Sequence, residues 1–503
     1  MKAVASISKV LHISDFKAQC ARGGGVLGIG TVVDRGSRFI RNIILVRLLS
    51  PDQFGLMATI VAMSTAFEAF TEVGVRQSII HSERGDQSQY LNVAWWLQAL
   101  RGIGLFTISF LLTPWISQFY QKPELLPLLR VSFVVIILNG LISPRIYVLE
   151  KELQFTKFVL LTQGSGLLST LLTVGLAFYV QDVRALVAGF LIEGLLRLVL
   201  SFVLCPFRPR LEIDYDSLGE LLRFARGMFG MAILTLITFR TDVILLGKLV
   251  ATEKLGVYYI VLSLAQIPFE IFDRVVSPVL LPAFAQKQND VTAVKNAVLK
   301  ITKATAILGI PMVAIQIICA RALLSLAYGP QYAVASSTFV FLCLYLLARA
   351  QGTILGQVFM GLGYPQLHRR FVILRASILV ASIYPMTTFF GLLGAAIALT
   401  LSSFIALFMQ VFWIRKLIKL QFGMYAFQWL GGLLLSLVVI IPVGLMRLFD
   451  IGSDVLLIIT GGVTYLAALL PFSAWAFLNY HTKLPQESNR CGTEIKSIYQ
   501  VEA

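Results

Sequence analysis

LLTQGSGLLSTLLTVGLAFYV, residues Leu160 to Val180, contains no acidic or basic side chain. A helix rises about 1.5 Å per residue, so a stretch of this length crosses a hydrocarbon core of ~30 Å. Val131 to Val148 and Val455 to Phe477 read the same way, with almost no charge. Working outward from them gives fourteen windows: 24–49, 54–78, 92–117, 128–149, 156–180, 183–205, 219–249, 257–283, 300–320, 333–362, 370–391, 393–414, 425–447 and 455–479. The expected fold class is therefore an all-α polytopic membrane protein with about fourteen transmembrane helices. Hydrophobic residues make up 57% of the 503, which excludes a soluble globular chain.

The net charge of +16 could suggest an anionic partner, yet its distribution gives a plainer reading. Most Lys and Arg fall in the N-terminus, in alternate loops and in the C-terminus, a bias that sets both termini in the cytoplasm and requires an even number of crossings. No nucleic-acid partner is implied. Residues 1–20 lack an uninterrupted apolar core and carry Lys2, Lys9, Asp15 and Lys17, so no cleavable leader is expected there; the amphipathic stretch Val10, Leu11, Ile13, Phe16 suits the inner membrane surface. Five scattered cysteines without close spacing, and histidines (His12, His81, His368, His481) confined to cytoplasmic segments, leave no metal centre and no cofactor to expect.

The chain also repeats. A shift of 201 positions sets Ile43-Ile-Leu-Val-Arg-Leu48 on Ile244-Leu-Leu-Gly-Lys-Leu249, Gly55 on Gly256 and Glu72 on Asp273. Each copy holds six windows, so both enter from the same side as parallel repeats about an axis along the membrane normal. The expected organisation is a cytoplasmic segment 1–23, a first six-helix lobe 24–205, a cytoplasmic linker 206–218, a second lobe 219–414, two further helices within 425–479 and a cytoplasmic tail 480–503. Two pseudo-symmetric bundles rocking about a shared cleft are a transporter's architecture.

Charges inside the windows locate the chemistry. Arg35, Arg38, Arg41, Arg101, Arg197, Arg240, Arg274 and Arg349 all lie at membrane depth, where a charge costs about 2.5–3.5 kcal/mol unless it faces protein or water. Residues four apart share a helix face. That spacing pairs Asp34 with Arg38, Glu193 with Arg197, Glu270 with Arg274 and Glu72 with Arg76. Arg35, Arg41, Arg101, Arg240 and Arg349 have no such partner, and are the candidate substrate-binding residues; Arg101 and Arg349, in windows without an acid, are expected to face a central cavity. A guanidinium stays charged and its planar fork matches phosphate oxygens. Two polar stripes, Thr65-Glu68-Glu72-Arg76 and Gln266-Glu270-Asp273-Ser277, are expected to line one cavity, with Glu68, Glu72, Asp273, Glu270 and Arg274 as candidates for ion coupling or gating.

The segments Arg47-Leu-Leu-Ser-Pro-Asp-Gln-Phe-Gly-Leu56 and Phe70-Thr-Glu-Val-Gly-Val-Arg-Gln-Ser-Ile-Ile80 resemble the first hairpin of bacterial polysaccharide (oligosaccharide) flippases. These belong to the multidrug/oligosaccharidyl-lipid/polysaccharide exporter superfamily, and the likeness is greatest to its colanic-acid-exporter-like branch. The resemblance implies a non-enzymatic, multi-pass inner-membrane protein, acting as a monomer beside the polysaccharide polymerase and glycosyltransferases of its pathway. Its implied substrate is an undecaprenyl-diphosphate-linked oligosaccharide, moved by alternating access for exopolysaccharide or lipopolysaccharide assembly. A multidrug or small-cation antiporter of the same superfamily remains the alternative, and a membrane-embedded glycan polymerase or transferase a more distant one.

Overall fold

Hydrocarbon offers the backbone no hydrogen-bond partners, so a chain this apolar satisfies its amides within each segment, as helix. In the computed structural model every regular element among the described residues is helical. Those residues are 2–70, 74–152, 154–211, 214–285, 287–288, 290–449 and 453–470, with 2–24 described as backbone alone. Glu72 lies outside them.

The first half comprises α1 (Lys2–Leu48), α2 (Pro51–Phe70), α3 (Val75–His81), α4 (Ser88–Tyr120), α5 (Leu125–Ser132), α6 (Val134–Gly140), α7 (Arg145–Lys151), α8 (Phe155–Val180) and α9 (Val183–Leu204). The second comprises α10 (Tyr215–Leu249), α11 (Thr252–Ala285), α12 (Val291–Ile318), α13 (Ala320–Tyr328), α14 (Pro330–Ala333), α15 (Ser336–Gly361) and α16 (Pro365–Leu417). α17 (Phe422–Leu448) and α18 (Asp454–Leu470) follow. Among the described residues eight helices are long and apolar enough to cross a membrane, and the bent pair Leu125–Gly140 with Arg145–Lys151, taken as one span, makes a ninth. The protein is thus multi-pass.

Three boundaries differ from the sequence expectation, each for a local reason, and a fourth agrees with it. α1 continues unbroken from Lys2, so segment 1–23 and the first window form one helix. The window 54–78 is cut after Phe70, and Gly74, at φ 60, opens the separate short α3. The window 128–149 bends by 58° ahead of Arg145, where Pro144 supplies no amide hydrogen. The two windows 370–391 and 393–414 both fall within α16, which is two helices parted at Gly391 with φ 59 and ψ −134, a conformation that needs the missing Cβ, so this boundary lies where the sequence placed it. Acidic caps start several helices as polar loops re-enter the bundle. Asp182 accepts from the Val183 amide, Asp214 from Ser217 and Asp290 from Ala293; such caps contribute about 1 kcal/mol each.

The halves meet where the repeat matched its glycines. A Cβ on Gly55 would overlap the Thr252 carbonyl, and one on Gly256 would overlap the Pro51 carbonyl. Pro51 and Thr252 are themselves equivalent positions under the 201 shift, so the two contacts are exchanged by the pseudo-two-fold axis. α2 and α11 therefore cross backbone to backbone, as small residues permit in lipid. Phe54, Leu255 and Tyr258 are buried around the crossing. Beside it Tyr120 Oη donates to the Ile244 carbonyl at 3.2 Å, and Lys122 Nζ to the Gly247 carbonyl at 3.2 Å. One end of the inter-lobe cleft is thereby shut.

Candidate functional site

Beneath this closed end the halves diverge around a cavity of about 470 Å³. α1, α2 and α9 form the wall on one side, α10 and α11 on the other. Among the described residues five guanidiniums line it (Arg35, Arg38, Arg41, Arg197 and Arg240), against three carboxylates (Glu68, Glu193 and Glu270). The cavity is polar because these helices turn their charged stripes inward and leave Ile29, Val32 and Ile40 exposed on the outer side of α1.

Part of this charge is locked. Arg38 donates from Nε to Asp34 Oδ1 at 3.1 Å and spans Glu193 with both terminal nitrogens, at 3.2 and 2.8 Å. Arg197 Nη2 reaches the same Glu193 at 3.1 Å. Two of the four i,i+4 pairs expected from sequence are present, and the bidentate Arg38–Glu193 contact joins them into one network tying α1 to α9. Asp34 is 3% exposed, and such a buried carboxylate requires the cation beside it. On α2, Glu68 accepts from Asn139 Nδ2 at 2.8 Å.

Of the other two expected pairs, Glu72–Arg76 falls outside the described residues at Glu72, and Glu270–Arg274 is replaced by a contact between helices. Glu270 does not bond Arg274; its Oε2 lies 2.8 Å from Arg35 Nε, and Arg274 is exposed. Glu270 lines the cavity opposite α1, and Arg274 is not among its lining residues. Arg76 bonds Glu150 on α7, with Nε at 2.9 Å from Oε2.

Arg41 and Arg240 differ from the rest. No carboxylate among the described residues lies within ion-pair distance of either. Arg41 reaches only Asn42 Oδ1, at 3.4 Å, and its Nε is buried without a partner. The cavity therefore holds cationic donors in excess of the protein's own acceptors, an arrangement that receives anionic oxygen.

The remaining candidates are placed elsewhere. Arg349 lines a second cavity of about 270 Å³ within the second half, between α11, α15 and α16, together with Asp273. Its guanidinium sits 4.2 Å over the Phe269 ring. The stripe Gln266-Glu270-Asp273-Ser277 is thus divided, Gln266 and Glu270 facing the central cavity and Asp273 the second one, where it accepts from Ser277 Oγ at 2.8 Å. Arg101 lines neither cavity: α4 is peripheral, with Leu100 and Ile103 exposed on both sides of it. A window without an acid thus did not mark a cavity-facing arginine.

Sequence reasoning set Arg38, Glu193 and Arg197 aside as structural pairs, yet all three line the central cavity. Asn139 gave no signal at all; only the approach of α6 to α2 brings it to Glu68.

Comparison with known proteins agrees with this architecture. The family described as polysaccharide biosynthesis protein matches residues 44–337. The chain is 22% identical to the lipopolysaccharide biosynthesis protein WzxC of Escherichia coli K12, over 74% of this chain and 75% of that protein. It is 24% identical to the amylovoran biosynthesis protein AmsL of Erwinia amylovora, over 70% and 92%, and 24% identical to the succinoglycan biosynthesis transport protein ExoT of Rhizobium meliloti, over 60% of each. Among solved structures, the lipid II flippase MurJ in an inward closed conformation superposes with a TM-score of 0.72 at 14% identity, covering 90% of this chain and 99% of that one. An inward-facing multidrug resistance transporter of the MATE family gives 0.56 at 15% identity, covering 78% and 98%; at such identities the likeness is one of fold. With the family match spanning more than half of its length, the chain belongs to the polysaccharide biosynthesis protein family, and it carries the fold shared by these flippases and exporters.

Proposed function

We propose that this protein is a flippase that moves an undecaprenyl-diphosphate-linked oligosaccharide across the bacterial inner membrane by alternating access, for exopolysaccharide or lipopolysaccharide assembly. The observation that carries the reading is the excess of guanidinium over carboxylate in the inter-lobe cavity, with Arg41 and Arg240 lacking acidic partners. A diphosphate supplies the missing anionic oxygens, and a polyprenyl tail stays in lipid while the head group enters between the halves. Arg41 and Arg240 bind the diphosphate, Arg35 joins them when Glu270 releases it, and Arg349 belongs to the neighbouring cavity. Glu68 and Asp273, with Glu72, are the carboxylates available for coupling to an ion gradient.

Around this core we place fourteen crossings, with six helices in each lobe, both termini in the cytoplasm and the shut end of the cleft at the periplasm. The protein acts as a monomer without catalysis of its own, handing its cargo from the glycosyltransferases to the polymerase of the pathway. A cation-exporting antiporter requires a net acidic cavity, which the five guanidiniums argue against. The test is mass spectrometry of lipid-linked intermediates in a deletion strain. Accumulation of completed, cytoplasm-facing repeat units supports the reading. Absence of surface polysaccharide without any accumulated precursor refutes it, as does normal surface polysaccharide in a strain without a second exporter.

A further inference from the structure

We infer that the 270 Å³ cavity inside the second bundle is a subsite for one acidic sugar unit of the transported glycan. The inference rests on the flippase reading above and extends it from the diphosphate to the saccharide. Two guanidiniums, Arg349 and Arg375, line this cavity, and among the described residues Asp273 is the one carboxylate, so the lining favours a carboxylate ligand, which Arg binds in a planar fork. Arg349 is steadied from two sides, by Phe269 at 4.2 Å and by the Tyr345 hydroxyl at 3.4 Å.

The same lining carries buried polar atoms, two of them amide oxygens that only accept, with no partner among the described residues. Gln357 Oε1, Gln410 Oε1, Ser403 Oγ and His368 Nδ1 are buried without a hydrogen-bond partner, and Gln410 and Ser403 are only 6% and 3% exposed. An unpaired buried acceptor is costly and calls for a donor from outside. The diphosphate of a lipid carrier, esterified at both ends, offers none when ionised, whereas every sugar hydroxyl donates. Phe371, 5% exposed, gives the apolar surface against which the C–H face of a pyranose packs. A Cβ on Gly356 would stand 2.6 Å from His368 Cε1 and 2.8 Å from its Nδ1, so the glycine makes room for the imidazole at the cavity wall. At about 30 Å³ per water, the space holds a single sugar ring. It lies directly across α11 from the central cavity, since Gln266 and Glu270 face one and Phe269 and Asp273 the other.

The test uses the purified full-length protein in nanodiscs and reads saturation-transfer NMR of methyl glucuronide, with methyl glucoside and inorganic phosphate as competitors. Glucuronide should bind at least tenfold more tightly than glucoside, and phosphate should not displace it. Arg349→Gln should weaken glucuronide at least tenfold and Gln410→Leu severalfold, while Arg41→Gln in the central cavity leaves it unchanged. If Arg349→Gln fails to fold, Gln410→Leu carries the same test without altering charge. Absence of glucuronide binding, full competition by phosphate, or dependence on Arg41 in place of Gln410 overturns the assignment. Because this readout requires no flipping, precursor accumulation in the deletion strain with no glucuronide site would refute the subsite alone; the reverse result would refute the flippase reading alone.

Discussion

Replacing Gly256 by alanine asks whether the α2–α11 crossing is the gate that shuts the central cavity. The new Cβ would overlap the Pro51 carbonyl oxygen and stand 2.7 Å from its carbon and 2.9 Å from the Gly55 nitrogen. Carbon atoms settle about 3.5–4.0 Å apart, and all three obstacles are backbone, so no side-chain rotation relieves them. The helices have to separate by about 1 Å, an overpacking that costs roughly 1–3 kcal/mol. The cost falls only on the conformation in which this end is closed. Such a bias moves a two-state equilibrium by roughly 5- to 150-fold. The assay is labelling of Ser64→Cys, a position that lines the cavity and is 2% exposed, in a background freed of its five natural cysteines. An impermeant maleimide added from the periplasmic side should react at least fivefold faster in Gly256→Ala. Gly55→Ala, whose Cβ would meet the Thr252 carbonyl carbon at 2.9 Å, should do the same. An unchanged rate in both variants at normal protein level would refute the gate; acceleration from the cytoplasmic side alone would reverse its orientation.

Further expectations follow from the charges. Arg41→Ala and Arg240→Ala should each lower export about tenfold or more at unchanged protein level, because a hydrogen bond to a charged group is worth roughly 1.5–3 kcal/mol; the lysine variants should retain part of it, as read from lipid-linked precursor. Arg38→Ala leaves Glu193 to Arg197 alone and the buried Asp34 only Arg35 at 3.8 Å, and breaking a buried pair costs up to about 3–5 kcal/mol, so the folded protein recovered from membranes should fall, and Asp34→Asn in the same chain should restore part of it. Glu270→Gln should leave protein level unchanged and alter the Ser64→Cys labelling rate, since it frees Arg35 from its 2.8 Å contact without touching the Arg38 network.

How far the sequence was legible depended on how local the physics was. Apolar windows and the 201-residue repeat are set by the bilayer and by the chain itself, and the helices and the reciprocal Gly55–Thr252 and Gly256–Pro51 contacts match them. Pairs one turn apart, Asp34–Arg38 and Glu193–Arg197, were readable because a helix fixes their geometry. Glu270 escaped that logic. With Arg274 one turn away and Arg35 more than two hundred residues distant, only the approach of α1 to α11 decides between them. Arg101 shows the same limit, because an acid-free window identifies a charge needing shelter and says nothing of which way the helix is rotated. The second cavity was the least legible, as His368, Ser403 and Gln410 come from distant turns of a helix folded on itself at Gly391.

The division of ion pairs between and within halves bears on how the cavity works. Asp34, Arg38, Glu193 and Arg197 belong to α1 and α9, so rocking one half against the other carries that network along intact, as a fixed floor of balanced charge. Arg35 and Glu270 belong to different halves, and theirs is the one ion pair lining the central cavity, among the described residues, that such a motion must stretch. In the proposed mechanism a substrate diphosphate competes with Glu270 for Arg35 while also engaging Arg41 and Arg240. Its binding therefore loosens an inter-lobe tie that holds the empty protein closed, and its departure lets the tie re-form. A ligand shifts a conformational equilibrium only through unequal interaction with the two states. Exchange of Glu270 for diphosphate at Arg35 supplies that inequality at the boundary between the halves, where a change in one contact is felt by both.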